Sequence, residues 1–211
     1  LRLALEPKGD PFRLWLSKQV NGFCGTQSMV AHWDKTRDGS CPDCGMREDA
    51  GHMMRCPSLS RTALLQEQVE DLVRWMDAND TAASVSFWIP KYITLRNARR
   101  LSSFPNLPEE LRQFAAEQDA IGWREFTEGR ISKELLRIQR EHLETVQGRM
   151  SPSRWSREFI TRVLHITQAQ WIHQNSSLHQ RESGYLAQQE RKVQAKDTER
   201  YLGTDPENIP R

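Results

Sequence analysis

Four potential metal ligands fall between residues 41 and 56 of this chain. Cys41 and Cys44 belong to the run Cys-Pro-Asp-Cys-Gly, and His52 and Cys56 follow them. Thiolates and imidazoles are the ligands that zinc prefers, and a Cys-x-x-Cys turn presents two sulfurs to one ion. His52 and Cys56 are four residues apart, so on a helix they lie on one side, about one turn apart. The spacing therefore predicts one tetrahedral site that joins a turn to a helix.

All four positions of this predicted site are protein ligands, which leaves no position for a reactive water. That pattern is typical of a structural Zn²⁺ rather than a catalytic one, and such an ion contributes directly to folding. Gly45 directly follows the second cysteine, where we expect it to adopt the positive φ that a tight metal-binding turn uses.

Three alternatives to a zinc site remain open from the sequence. Cys41 and Cys44 are also the spacing of a thioredoxin-like redox pair, although no βαβ pattern surrounds them. Cys24, the fourth cysteine, is a possible disulfide partner for the cluster, and the cluster is also compatible with a decayed site that no longer binds metal. Three clustered cysteines and one isolated cysteine favour a reducing compartment, so we expect an intracellular protein, nuclear or cytoplasmic.

The rest of the sequence predicts a mainly α fold, with a small zinc-stapled N-terminal region followed by an all-helical bundle. Apolar residues recur at steps of three and four, whereas no alternating strand pattern appears after the first forty residues. Seven Trp and seven Phe can anchor a core despite a mean hydropathy of -0.74. We expect a zinc-binding region over residues 1–57, a helical domain over 58–203 and a flexible tail over 204–211.

Capping residues and breakers predict where the helices begin and end. We expect a short helix within 21–33, and an exposed or partner-dependent helix over the charged residues 181–202. The longer helices are expected from Ser58 to Asn79, from Thr81 with an interruption near Pro90, from Asn106–Glu110 onward, from Ser132 to Gly148, and from Ser151-Pro152 onward.

A second candidate site is basic. Lys91, Arg96, Arg99 and Arg100 place four cations and no acid within ten positions, beside aromatic residues that include Phe87. Cations that bind phosphate next to rings that stack on bases are typical of a nucleic-acid contact. The alternative is a solvated helix face with its core aromatics behind it. The overall charge of +2 does not by itself indicate a nucleic-acid-binding protein, so any such contact has to come from a local patch.

The cluster also resembles the zinc-binding segment at the C-terminal end of reverse transcriptases of non-LTR (LINE-type) retrotransposons. That family has a Cys-Pro-x-Cys-Gly turn, an acidic stretch and then His-x-x-x-Cys, here Cys41 to Gly45, Glu48-Asp49, and His52 with Cys56. A short apolar helix and a Trp precede the turn, as Met29, Val30 and Trp33 do. Two later segments also resemble segments found downstream of this motif in retrotransposon-type proteins. The first is Gln118 to Trp123 with Phe126 and Gly129-Arg130. The second is Trp171 to Asn175 with His179, where Gln174 stands in place of an Arg.

The resemblance implies a non-catalytic accessory region of a reverse-transcriptase polyprotein that helps to hold template RNA or DNA. The expected partners are nucleic acid or the polymerase domain of the same polyprotein, and neither a membrane nor a small-molecule substrate. We expect no enzymatic activity and no catalytic residue, because the chain has no Tyr-x-Asp-Asp run, catalytic triad or phosphate-binding loop. The alternative is a free-standing, zinc-stabilised protein-interaction domain.

Overall fold

The computed structural model describes the backbone of residues 10–202 and only some of the side chains beyond residue 180. Its mainly helical fold confirms the predicted fold class. The described residues form the helices α1 (Asp10–Val20), α2 (Gln27–Trp33), α3 (His52–Arg55), α4 (Leu59–Ala78), α5 (Ala83–Thr94), α6 (Glu109–Ile121), α7 (Trp123–Thr127), α8 (Lys133–Thr145) and α9 (Pro152–Leu202), with a 3₁₀ turn at Leu101–Ser103. The described chain contains one isolated β-bridge, between Ser40 and Arg47, and no strand.

Several helix ends are set by the capping residues that the sequence indicates. The Ser58 hydroxyl accepts from the backbone N–H of Arg61 at the start of α4, and Ser132 does the same for Glu134 at the start of α8. Pro152 is the first residue of α9, where a missing N–H costs nothing. These three starts confirm the predicted ones.

The predicted interruption near Pro90 is wrong. Helix α5 continues through Pro90 and ends at Thr94. The ring removes one backbone hydrogen bond, but Ile89, Tyr92 and Ile93 are each about 1% exposed, and their burial keeps this turn helical. Packing of one apolar face therefore outweighs the local cost of the proline.

The main core lies between α4, α5, α6, α8 and the first half of α9. Trp155 and Phe159 of α9 are fully buried, stack with ring centroids 4.9 Å apart, and contact Trp75 of α4. A second, smaller core joins the N-terminal part to α9; its buried members are Phe12, Trp15, Leu16, Cys24, Met53 and Leu164. Helix α9 therefore contributes to both cores.

The predicted domain boundary near residue 58 stays a prediction. The predicted tail 204–211 lies outside the described residues. Helix α9 runs through residues 181–202, as the sequence predicts for that segment. Within the described part of the chain, no helix combines the length and the apolar character needed to cross a lipid bilayer.

Candidate metal centre

The fold brings the four predicted ligands together. One ligand atom from each of Cys41, Cys44, His52 and Cys56 can be chosen so that all four lie within 4.8 Å of one another. The Sγ atoms of Cys41 and Cys56 are 3.8 Å apart, and Cys44 Sγ lies 3.3 Å from His52 Nε2. This group can hold a metal ion.

The two cysteines of the turn are positioned by a small hairpin. The Cys41 backbone N–H donates to the Met46 carbonyl at 2.6 Å, and the Gly45 N–H donates to the Cys41 carbonyl at 2.8 Å. The bridge between Ser40 and Arg47 closes the base of this loop. Gly45 has a φ of +76°, as predicted, a conformation that a side chain would strain.

The other two ligands lie at opposite ends of the one-turn helix α3. Its start is fixed by Asp49, whose carboxylate accepts from the His52 backbone N–H at 2.7 Å. Cys56 is the residue that follows the helix. A single turn separates the two, so both point to the same side as the spacing predicts.

Burial shapes the acid–base chemistry of the cluster. Desolvation raises the pKa of the Cys41 thiol far above its usual value, which favours the neutral form when no ion is bound. Desolvation also lowers the pKa of His52, with nearby Arg61 contributing, so the imidazole is neutral at pH 7. A neutral imidazole is the form that binds a metal.

A fully buried arginine, which the sequence did not single out, supports the cluster. The Arg61 side chain is 0% exposed and its guanidinium lies 3.5 Å from the Asp43 carboxylate, inside the Cys-Pro-Asp-Cys turn. Arg61 also donates to the Met53 carbonyl at 2.7 Å and to Gln170 Oε1 of α9 at 3.0 Å. Arg61 therefore joins the turn, α3 and α9.

Glu48 forms a second connection, and it is buried although a glutamate is rarely found away from solvent. Its side chain is 0% exposed, and its carboxylate accepts from the Gln27 backbone N–H at 2.8 Å and from Gln174 Nε2 at 2.7 Å. Desolvation raises the pKa of Glu48, although these hydrogen bonds oppose the rise. Gln174 is the residue that replaces Arg in the downstream pattern. Sequence alone gave no signal for this pair, because 126 positions separate its members.

The predicted basic residues differ in their surroundings. Lys91, Arg99 and Arg100 are exposed, and the Lys91 ammonium lies 3.4 Å from the Phe87 ring centroid. The half-buried Arg96 instead donates to the Cys56 carbonyl, so its guanidinium faces the metal ligands. Three of the four cations therefore face solvent, while Arg96 supports the cluster.

Comparison of the sequence with protein-family models finds no match, and comparisons with curated proteins and with solved structures find no significant similarity. The two candidate sites are therefore interpreted from their own geometry.

Proposed function

We propose that this chain is a non-catalytic zinc-binding module that helps a reverse transcriptase of the retrotransposon type to hold template RNA or DNA. Cys41, Cys44, His52 and Cys56 are the zinc ligands. The arrangement of these four donor atoms is the observation that carries the metal-binding part of the proposal. The ion is structural: it joins the turn to α3 and supplies folding energy.

The donor set fits zinc in chemistry, and the distance between two of its sulfurs fits zinc in size. With Zn–S bonds of about 2.3 Å, a tetrahedral ion holds two sulfurs about 3.8 Å apart. The separation of 3.8 Å between Cys41 Sγ and Cys56 Sγ equals that value. Three sulfurs and one imidazole nitrogen form a soft set that suits zinc better than magnesium or calcium. The four protein ligands complete the coordination sphere, which supports a non-catalytic role.

The nucleic-acid role rests on the local excess of positive charge. No Asp or Glu occurs between Asp80 and Glu109, while Lys91, Arg99 and Arg100 in that interval are exposed. Unneutralised cations at a surface release counterions when they bind phosphates, and this release dominates nucleic-acid affinity. The near-neutral remainder of the chain then confines the contact to this region.

Metal content tests the zinc assignment. We expect one zinc per chain in the purified protein and loss of that zinc in Cys44→Ser, with faster amide hydrogen exchange over residues 39–57. The matched control is Cys24→Ala, since Cys24 is also a buried free cysteine but lies outside the cluster. Full zinc retention in Cys44→Ser would reject the assignment of four ligands.

A filter-binding assay tests the nucleic-acid role. Neutralising Lys91, Arg99 and Arg100 together should weaken RNA or DNA binding and flatten its dependence on salt by roughly 0.7–0.9 per lost contact. Arg96 is left unchanged because its guanidinium donates a hydrogen bond to the Cys56 carbonyl. Unchanged binding in the triple variant would reject the basic site.

A protein-interaction domain is the second candidate, and an exposed apolar surface favours it. Phe23 and Trp33 are 63% and 76% exposed, and they line an open groove of about 500 Å³ beside the metal-binding segment. Large exposed aromatic side chains are typical of interaction surfaces. A protein that retains zinc but binds no nucleic acid at low salt would favour this candidate. The polymerase domain of the same polyprotein is then the partner to test.

A further inference from the structure

Helix α5 and the loop that follows it enclose an open groove of about 620 Å³. None of the four candidate metal ligands is among the residues that line the groove, which combines aromatic and cationic side chains. Its lining residues include Phe87, Trp88, Lys91, Arg99, Phe104 and Pro105.

The aromatic side of the groove presents the exposed Phe87 ring, which packs against the more buried Trp88. Phe87 is 53% exposed and meets the Trp88 ring edge to face, with centroids 5.1 Å apart. Trp88 is only 8% exposed, and its ring also packs against the Phe104 ring, with the two centroids 5.3 Å apart. A ring held in this way presents a flat apolar surface with little conformational freedom to lose when a ligand binds.

The loop side of the groove is also fixed. The Asp119 carboxylate of α6 accepts from the backbone N–H groups of Leu101 and Ser102, at 2.8 and 2.9 Å. On the helix side, Trp123 Nε1 donates to the Tyr92 carbonyl at 2.9 Å. These hydrogen bonds anchor the 3₁₀ turn and the last turn of α5, which adjoin the groove, to α6 and α7.

The charge of the groove is positive without internal compensation. Lys91 interacts with the rings of Phe87 and Trp88, and the exposed Arg99 has no acidic partner among the described residues. Arg112 lines a neighbouring cavity that shares Phe104 and Asn106 with the groove, and it is paired with Glu109 at 3.1 Å. An exposed cation–π contact is weak, so the Lys91 ammonium leaves the ring readily when a phosphate is offered.

We propose that this groove is a stacking site for an unpaired base of single-stranded nucleic acid. The base lies on the Phe87 ring in place of the Lys91 ammonium, while Lys91 and Arg99 bind the flanking phosphates. The proposal deepens the nucleic-acid function proposed above and rests on it. A duplex keeps its bases stacked internally, so the site discriminates in favour of single strands. An acidic peptide would pair with Lys91 and Arg99, but its carboxylates would make no stacking contact with the Phe87 ring.

Fluorescence anisotropy tests the proposal with labelled oligothymidylate of about 12 nucleotides and a duplex of equal length. We expect tighter binding of the single strand, and Phe87→Ala should weaken it roughly 5- to 150-fold. Phe87→Trp should restore binding, because the ring and not the residue identity is needed. The matched control is Phe23→Ala, which removes another exposed phenylalanine and should change nothing.

The salt dependence of nucleic-acid affinity distinguishes a failure of the stacking site from a failure of the proposed nucleic-acid function. Phe87→Ala should leave the slope of log affinity against log salt unchanged, whereas Lys91→Gln should flatten it by roughly 0.7. If wild type binds nucleic acid in a salt-dependent way but Phe87→Ala binds equally well, or if the duplex binds more tightly, the stacking site is rejected and the proposed function stands. If no nucleic acid binds even at low salt, both are rejected.

Discussion

The guanidinium of Arg61 and the carboxylate of Asp43 lie 3.5 Å apart, and their side chains are only 0% and 7% exposed. Asp43 is inside the turn that carries two of the four metal ligands, and Arg61 is on the first turn of α4. A buried ion pair is costly to break, because removing one partner leaves the other charge without compensation. The pair therefore couples the metal-binding turn to the helical bundle.

Replacing Arg61 by Met should lower the free energy of unfolding by about 3–5 kcal/mol, since the Asp43 carboxylate loses its buried cationic partner. It should also weaken zinc binding roughly 10- to 100-fold through loss of support for the turn. Urea denaturation and competition with a chromophoric chelator measure the two effects. In the control, Arg74→Met, the lost pair with Asp71 is half exposed, so the change should stay below about 1 kcal/mol. Equal effects of the two substitutions would contradict the coupling.

Replacing Gln174 by Leu should lower the free energy of unfolding by about 1–3 kcal/mol, because the buried Glu48 carboxylate loses a donor at 2.7 Å. Gln180→Leu, at an exposed position of the same helix, serves as the control. Thermal unfolding followed by circular dichroism measures both variants. A Gln174→Leu protein as stable as wild type would show that the hydrogen bond contributes nothing net.

Replacing Pro90 by Ala should raise the free energy of unfolding by about 1–3 kcal/mol, because α5 regains a backbone donor to the Ser86 carbonyl and loses the ring clash. Pro152→Ala should give no such gain, since Pro152 occupies the first position of α9, where proline is tolerated. Chemical denaturation of the two variants checks the difference. A loss of stability in Pro90→Ala would mean that the ring itself packs usefully.

Zinc affinity should rise with pH between about 6 and 8. Burial raises the pKa of the metal-free Cys41 thiol, so that thiol is protonated over this range and must lose its proton when zinc binds. Each proton released adds a tenfold gain in affinity per pH unit. His52 contributes little at pH 7 and above, because its lowered pKa already leaves it neutral. Chelator competition at several pH values gives the slope, and a flat profile would exclude thiol deprotonation on binding.

Local sequence signals predicted much of the fold and the clustering of the four candidate metal ligands. Ser58 and Ser132 cap the helices that follow them, and Cys41 to Cys56 meet because their spacing fits one turn and one short helix. Such features depend on residues close in sequence, so the pattern contains the necessary information.

The buried polar connections were not predictable in this way. Arg61 and Gln170 are 109 positions apart, and neither residue type is normally buried. Glu48 sits in a run that is typical of a solvated loop, and only the packing of α9 against that run removes it from water. Pro90 was misjudged because its helix is held by tertiary burial that the local sequence does not report.

Helix α9 continues well beyond the last of its described buried side chains. Among its described side chains, the last buried one is Gln174, which is bonded to Glu48 beside the metal ligands. At 1.5 Å per residue, residues 175–202 extend roughly 40 Å further along the helix axis. A small change in the helix direction near Gln174 therefore displaces the C-terminal end of the helix by many ångströms. Among the described side chains, the hydrogen bond between Gln174 and Glu48 is thus the last buried contact that bears on the direction of residues 175–202.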